Sequence, residues 1–321
     1  MARRATAVSS ACLLTVVLAP PARPALALAT ASATAPALAA RGCAAAAPAR
    51  AAAPVAPPGR EAPATAAGGP GPRSPQPGDV ALVQDELRRR LDGVTPPATI
   101  TVPTRVHVLT SGRRQVSDQE VRSQIAVLNS AYGGAFGGPD TGVRFRLRGI
   151  AVKDQPAWFA DPVGGEQAMK TALHKGGPAT LNLYIAQLSE LMLGFASYPY
   201  WYEGAPRLDG VVIDWRSLPG GPMADYNRGF TAVHEIGHWL GLFHTFENGC
   251  AEPGDGIGDT PAEATATQAC PDEKDTCAQP GHDPVRNFMD YAHDRCMAEF
   301  TAGQARRMHE MWAAYRHIPK K

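Results

Sequence analysis

With 321 residues, a formal net charge of +1, 44% hydrophobic and 19% charged residues, the chain has room for one or two packed cores. Its charge is unevenly spread: residues 1–78 hold seven arginines against Glu61 alone, a local +6 that leaves −5 for the remainder. After residue 79 no basic patch with interleaved aromatics appears, which excludes a nucleic-acid surface.

Ala2-Arg3-Arg4 and the apolar run Ala11 to Ala19 have the charged and hydrophobic regions of a secretory signal, with small-residue cleavage options between Ala25 and Ala33. Residues 1–30 therefore read as a signal peptide whose apolar run is too short to span a bilayer. Neither Cys12, inside that run, nor Cys43, preceded by Arg41-Gly42, suits a lipid anchor, so the expected destination is extracellular, with no membrane attachment after signal removal. Residues 31–78 are rich in Ala, Pro, Gly and Arg with few large apolar side chains, and read as a disordered pro-segment. Cys43 within it is either a stray thiol or a latency device whose thiolate occupies a metal position downstream. Cys250, Cys270, Cys277 and Cys296 cluster late in the chain, as expected for two disulfides in an exported protein. A second zinc site is the competing use, but no CxxC pair is present.

The globular part begins near Asp79 with an apolar-periodic stretch, Val80 to Leu91, that reads as a short helix closed by Pro96-Pro97. Ile100 to Leu109 alternates as a strand with an irregular start at Pro103. Ser117 and Glu120 form a capping box ahead of Val121, Ile125 and Leu128 at helical spacing. Gly133 to Gly138 is a loop. Val143, Phe145 and Leu147 alternate with Arg144, Arg146 and Arg148, the pattern of a half-buried strand with a solvated basic face. Glu166 to His174 reads as a helix and Leu181 to Ile185 as a strand. Leu191 to Pro199 reads as a further strand, and Asp209 to Trp215 as the central one.

Chemistry concentrates after Phe230, in Thr231 to Phe246, TAVHEIGHWLGLFHTF. His234 and His238, four apart on a helix, lie about 40° apart around its axis, so both imidazoles face one way. Glu235 sits beside them as a candidate acceptor of the proton from a metal-bound water. Gly241 stops the helix where a reversal needs positive φ, and His244 returns as a third nitrogen ligand. Three imidazoles leave a fourth zinc position open, which marks a catalytic rather than a structural site.

HEIGHWLGLFH matches HExxHxxGxxH and resembles the metzincin metallopeptidases, whose downstream methionine turn is matched by Asn287 to Tyr291, NFMDY. The runs HTFENGC from His244, GDGIGDTP at Gly254 to Pro261, NFMDY, Cys296 and FTAGQARRM are together similar to the pappalysins, the M43 peptidases, and to their small secreted ulilysin-like microbial members. The resemblance spans Asp79 to Arg316. It implies an α+β fold with a twisted mixed sheet, two long helices, and an irregular disulfide-linked C-terminal subdomain ending in a helix. That helix would be N-capped by Thr301, with Met308, Met311, Trp312 and Tyr315 on its buried stripe. The catalytic domain is expected over 79–316, divided into 79–241 and 242–316.

The resemblance further implies disulfides Cys250 to Cys277 and Cys270 to Cys296, one of three pairings the sequence permits. It implies a calcium held by Asp255, Asp259 and Thr260 with the carbonyls of Ile257 and Cys270, an oxygen set suited to a hard cation. It places Tyr291 near the metal as an oxyanion stabiliser and Met289 as the apolar floor under the histidines. The strand before the zinc helix would form the upper rim of a substrate cleft, where Gly194, Ala196 and Ser197 admit a second backbone. Asp294 would line the pocket just past the scissile bond and favour Arg or Lys there. The expected activity is a secreted, monomeric zinc endopeptidase acting on proteins or peptides. Its rivals are another metzincin, astacin-like or snapalysin-like, and a non-catalytic zinc-binding pseudoprotease, against which Glu235 argues.

Overall fold

The computed structural model describes residues 74–76, 78–189 and 191–317. The signal peptide, nearly all of the pro-segment and Cys43 lie outside the described residues. Five strands form one mixed sheet in the order β2-β1-β3-β5-β4, with β1 Ile100–Thr110, β2 Val143–Asp154, β3 Leu181–Ala186, β4 Gly194–Ala196 and β5 Val211–Asp214. The pairs β1/β2, β1/β3 and β3/β5 are parallel, and β4 runs antiparallel to β5 at the edge.

Two expectations need correcting here. Asp209 to Trp215 does not form the central strand: β5 starts only at Val211, after Gly210 at φ 131°, and is one place in from the edge, while β3 is central. Apolarity reports burial on both faces, which any interior strand of a covered sheet has, and does not rank strands. The strand expected over Leu191 to Pro199 contracts to three residues because Pro199 starts a short 3-10 turn and Leu193 meets β5 only through its carbonyl, which accepts from Asp214 N.

Helix α1 spans Asp79–Arg90, α2 Asp118–Tyr132, α3 Pro156–Ala160, α4 Glu166–Leu173, α5 Phe230–Trp239 and α6 Ala302–Met311, which continues as a π-helical turn over Trp312–Arg316. Of the two helices expected to be long, α2 has 15 residues but α5 only 10, since Gly241 ends it. The capping box at Ser117 and Glu120 is formed from both sides, and Thr301 and Gln304 form a second one at α6.

Val102, Val106, Leu183, Val211 and Ile213 on one sheet face pack with Leu128 of α2 and Phe230, Val233 and Ile236 of α5. Leu109, Tyr184 and Val212 on the other face pack with Phe159 of α3 and Met169 of α4. Helix α1 joins a third cluster, in which Val80, Val83 and Leu87 meet Tyr198, Phe243, Met311 and Tyr315. None of residues 240–301 lies in a helix or a paired strand beyond one isolated bridge, Asn287 to Glu299. Disulfides join Cys250 to Cys277 and Cys270 to Cys296 within that region. No helix among the described residues is long and apolar enough to cross a membrane.

Candidate metal centre

Every residue of α5 is buried, so its placement is set by packing all round rather than by one apolar stripe. Its start is fixed from α2, where Gln124 Nε2 donates to the Gly229 carbonyl and Tyr132 Oη to that of Val233. Its end is a Schellman turn: Gly241, at φ +95°, donates from its N–H to His238 O, and Leu242 N donates to Gly237 O. A Cβ on Gly241 would also lie 2.4 Å from Met311 Cγ, so this position requires glycine twice over.

The turn also orients the histidines. Leu242, just past it, presents its carbonyl 2.7 Å from His238 Nδ1, and Phe288 presents its own 2.7 Å from His234 Nδ1. A carbonyl only accepts, so both rings are protonated at Nδ1 and carry a lone pair at Nε2. Those two Nε2 atoms are 3.1 Å apart. With each Nδ1 proton committed to a carbonyl, both Nε2 atoms are left to act as acceptors or metal ligands. His244 completes the group, its ring centroid 4.6 Å from that of His238 and 5.3 Å from that of His234, with one ligand atom from each of the three within 4.8 Å of the others. All three histidines are buried. The donor set, three imidazoles with no thiolate, suits zinc in a catalytic setting.

His244 is carried by coil, and it stacks on Phe246 at 4.7 Å. Tyr291 Oη lies 3.3 Å from His244 Nε2. Met289 is fully buried against α5, its sulfur in the space a side chain on Gly237 would take. The turn carrying Met289 is tied to α6 by a reciprocal amide pair between Asn287 and Gln304, and Asn287 Oδ1 also accepts from Met289 N. Asp290 accepts from Thr267 N and Tyr291 N. Nearby, Glu263 accepts from Thr245, Thr267 and Lys274, and burial, reinforced by the charge of Asp290, raises its pKa above the usual carboxylate range.

Glu235 lies buried between α5 and β4, against Gly194. Gly194 and Ala196 are both buried on the edge strand, and the Ser197 hydroxyl is engaged with Asp209 and Gly210. Asp294 is buried too, its Oδ2 accepting from Arg228 N just ahead of α5. Its neighbour Arg295 pairs with Asp225 instead.

In the Asp255 loop, Thr260 Oγ1 lies 2.7 and 2.8 Å from the two Asp255 oxygens and 2.8 Å from Ile257 O. One hydroxyl proton serves three acceptors there. Burial pushes the Asp255 carboxyl up to about 7. Asp259 faces α6, where it accepts from Thr301 Oγ1 and Gly303 N, and Cys270 is held in its disulfide. The loop lines a cavity of about 690 Å3 together with Gln84 and Thr245.

Tyr198 is the residue that sequence reasoning misses. Its hydroxyl is 2.8 Å from His238 Nδ1, within an aromatic cluster that includes Trp201 and Phe243. Its place in the aromatic run Tyr198 to Tyr202 carries no spacing signal that ties it to a histidine forty positions on.

The family model described as Pregnancy-associated plasma protein-A, Peptidase_M43, matches residues 180–313. An extracellular metalloprotease of Arthroderma gypseum is 41% identical over 222 residues, covering 67% of this chain and 73% of that protein. One of Neurospora crassa is 39% identical over 249 residues, 73% and 83% of the two chains. Among solved structures, a promirolysin of Tannerella forsythia matches with a TM-score of 0.65 at 26% identity over 74% of this chain and 88% of that one. Mature mirolysin in complex with a cleaved peptide matches with 0.58 at 29% over 66% and 91%. On its likeness to these extracellular enzymes and its clustered histidines, the chain belongs to the M43 metallopeptidases, the pappalysins, and is a secreted zinc metalloendopeptidase.

Proposed function

We propose that His234, His238 and His244 hold the zinc, Glu235 is the general base, and the enzyme cuts protein chains ahead of Arg or Lys. The observation that carries the first part is the pair of Nε2 atoms 3.1 Å apart, with a carbonyl 2.7 Å behind each ring at Nδ1. Zinc, when bound there, supplies Lewis acidity and lowers the pKa of its water to about 7. The Glu235 carboxylate takes a proton from the attacking water and returns it to the leaving amine. Tyr291 donates its hydroxyl hydrogen to the developing oxyanion. Met289 closes the floor with an apolar thioether that competes for no proton.

A substrate in extended form pairs with the open edge of β4, past Gly194 and Ala196. For the residue after the cut, Asp294 supplies a buried carboxylate next to the Cys270–Cys296 disulfide, its Oδ2 accepting from Arg228 N. A guanidinium in a partly dry pocket is the ligand such a carboxylate favours. The oxygen-dense Asp255, Ile257 and Thr260 set would take calcium, a hard cation, with the Thr260 hydroxyl keeping its proton and turning an oxygen lone pair toward it. The mature monomer would start near Asp79 once residues 1–30 and 31–78 are removed, and Cys43 would keep the longer form latent.

Digestion of a denatured protein mixture by the chain from Asp79, with cut sites read by mass spectrometry, tests the reading. Arg and Lys should dominate directly after the cut, and a zinc chelator should abolish turnover reversibly. Glu235→Ala should lower activity about 10²–10⁴-fold with metal content unchanged. A site profile dominated by Leu or Phe sinks the basic preference; an active Glu235→Ala enzyme sinks the base.

A further inference from the structure

Gly194 opens β4 and pairs with Ile213. Its backbone is outside the left-handed region, so its conformation does not require glycine, and a glycine in a strand forgoes side-chain packing. What the position requires is space. A Cβ built there would lie 2.6 Å from Glu235 Cγ, 2.7 Å from Oε1 and 2.9 Å from Cδ, well inside the roughly 3.5 Å of normal carbon contact. Among the described glycines it is the one whose missing side chain is replaced by the arm of Glu235.

We propose that Gly194 is a positioning residue for the general base: β4 omits a side chain so that the Glu235 carboxylate lies flat against the strand. The proposal rests on the reading of Glu235 as base. A substrate backbone would approach β4 along its open edge, whereas Glu235 occupies the face, and only the second role demands glycine. The clash falls on the far part of a flexible side chain rather than on backbone, so Gly194→Ala should fold with the carboxylate displaced. Relief of the overlap needs a shift of about 0.5–1 Å, enough to cost a positioned catalytic group 10–100-fold in rate.

The test is a double-mutant cycle read in both activity and melting temperature, with zinc content measured for each protein. Gly194→Ala should lower kcat about 10–100-fold with KM and zinc content nearly unchanged, and should lower the melting temperature. In a Glu235→Ala background, where the arm is absent, the same substitution should not lower the melting temperature. A Gly194→Ala protein that folds only in the Glu235→Ala background makes the same point. Full activity of Gly194→Ala overturns the proposal. So does an equal fall in melting temperature or loss of folding in both backgrounds, or a raised KM at constant kcat. If Glu235→Ala alone stays active, the base reading fails, while the melting cycle still decides whether the two residues share the space.

Discussion

The two halves of the metal centre are built by different physics. His234, Glu235 and His238 sit on α5, whose backbone ladder, buried face and Schellman turn fix all three at once. His244, Met289, Tyr291 and Asp294 sit in coil, where no repeating ladder exists and each placement depends on named side-chain contacts. There Thr245 donates to Glu263, Asp290 accepts from Thr267, Asn287 exchanges amides with Gln304, and two disulfides close the loops. A helix spreads the consequence of one lost contact over its neighbours. Coil concentrates it at one residue, so damage to the second half should show first in metal affinity and specificity, and damage to the first in global unfolding.

The largest effect expected on this contrast comes from the anchor at the end of α5. Arg316 donates to both oxygens of Asp209 and to Trp239 O, and its guanidinium lies 3.6 Å from the Trp239 ring centroid. Arg316→Met leaves a buried carboxylate without its cation and should cost about 3–5 kcal/mol in urea unfolding, as one cooperative transition. A loss below about 1 kcal/mol would show that α5 is held by packing alone. Next, replacing Cys270 and Cys296 together by Ser should cost about 2–4 kcal/mol. Zinc affinity should weaken more than after Arg316→Met, when each is measured by competition with a chelator in the folded protein. Equal zinc affinities in the two variants would break the comparison.

Thr301→Ala removes the cap of α6, whose Gln304 also holds the methionine turn, and should cost about 1 kcal/mol. The smallest effect concerns pH and lies in the sheet. His107 is buried against Tyr184 and donates to Asn182; burial first, then the neighbouring His174, lowers its pKa. A lowered imidazole pKa means that the unfolded chain binds the proton first. Stability should therefore be complete above the unfolded value of about 6.5 and fall as the pH drops below it. His107→Phe should flatten that decline in a series of melting curves between about pH 7 and 5.

The same contrast explains what can be read from the chain. The zinc helix, the capping box at Ser117 and Glu120 and the strand alternation of Val143 to Leu147 are local, and local patterns carry their own periods. The reversal at Gly241 is legible because a glycine follows a helical run. Strand order is not legible, since nothing in Asp209 to Trp215 says that Gly194–Ala196 will add outside it. Neither is the Tyr198 contact with His238, nor the overlap of Gly194 with Glu235, because each joins residues forty or so apart by shape alone. Asp259 reads as an oxygen donor in an acidic loop, yet its partners belong to a helix start forty residues later.

Helix α1 is the first helix among the described residues and packs against the last. Its Val80, Val83 and Leu87 form one wall of the pocket that holds Phe243, Tyr198 and Met311, and Gln84 reaches the Gly256 carbonyl in the Asp255 loop. Arg90 adds a bidentate pair with Glu203 and lies over the Tyr315 ring. The front of the chain is thus a clasp across its own back. A cut just upstream of Asp79 takes away the Gln76 and Gly78 bonds to Asp79 and Leu82 at the start of α1, whereas a chain begun at Ile100, sheet and histidines complete, would leave the coil half open on the side where Phe243 leads into His244.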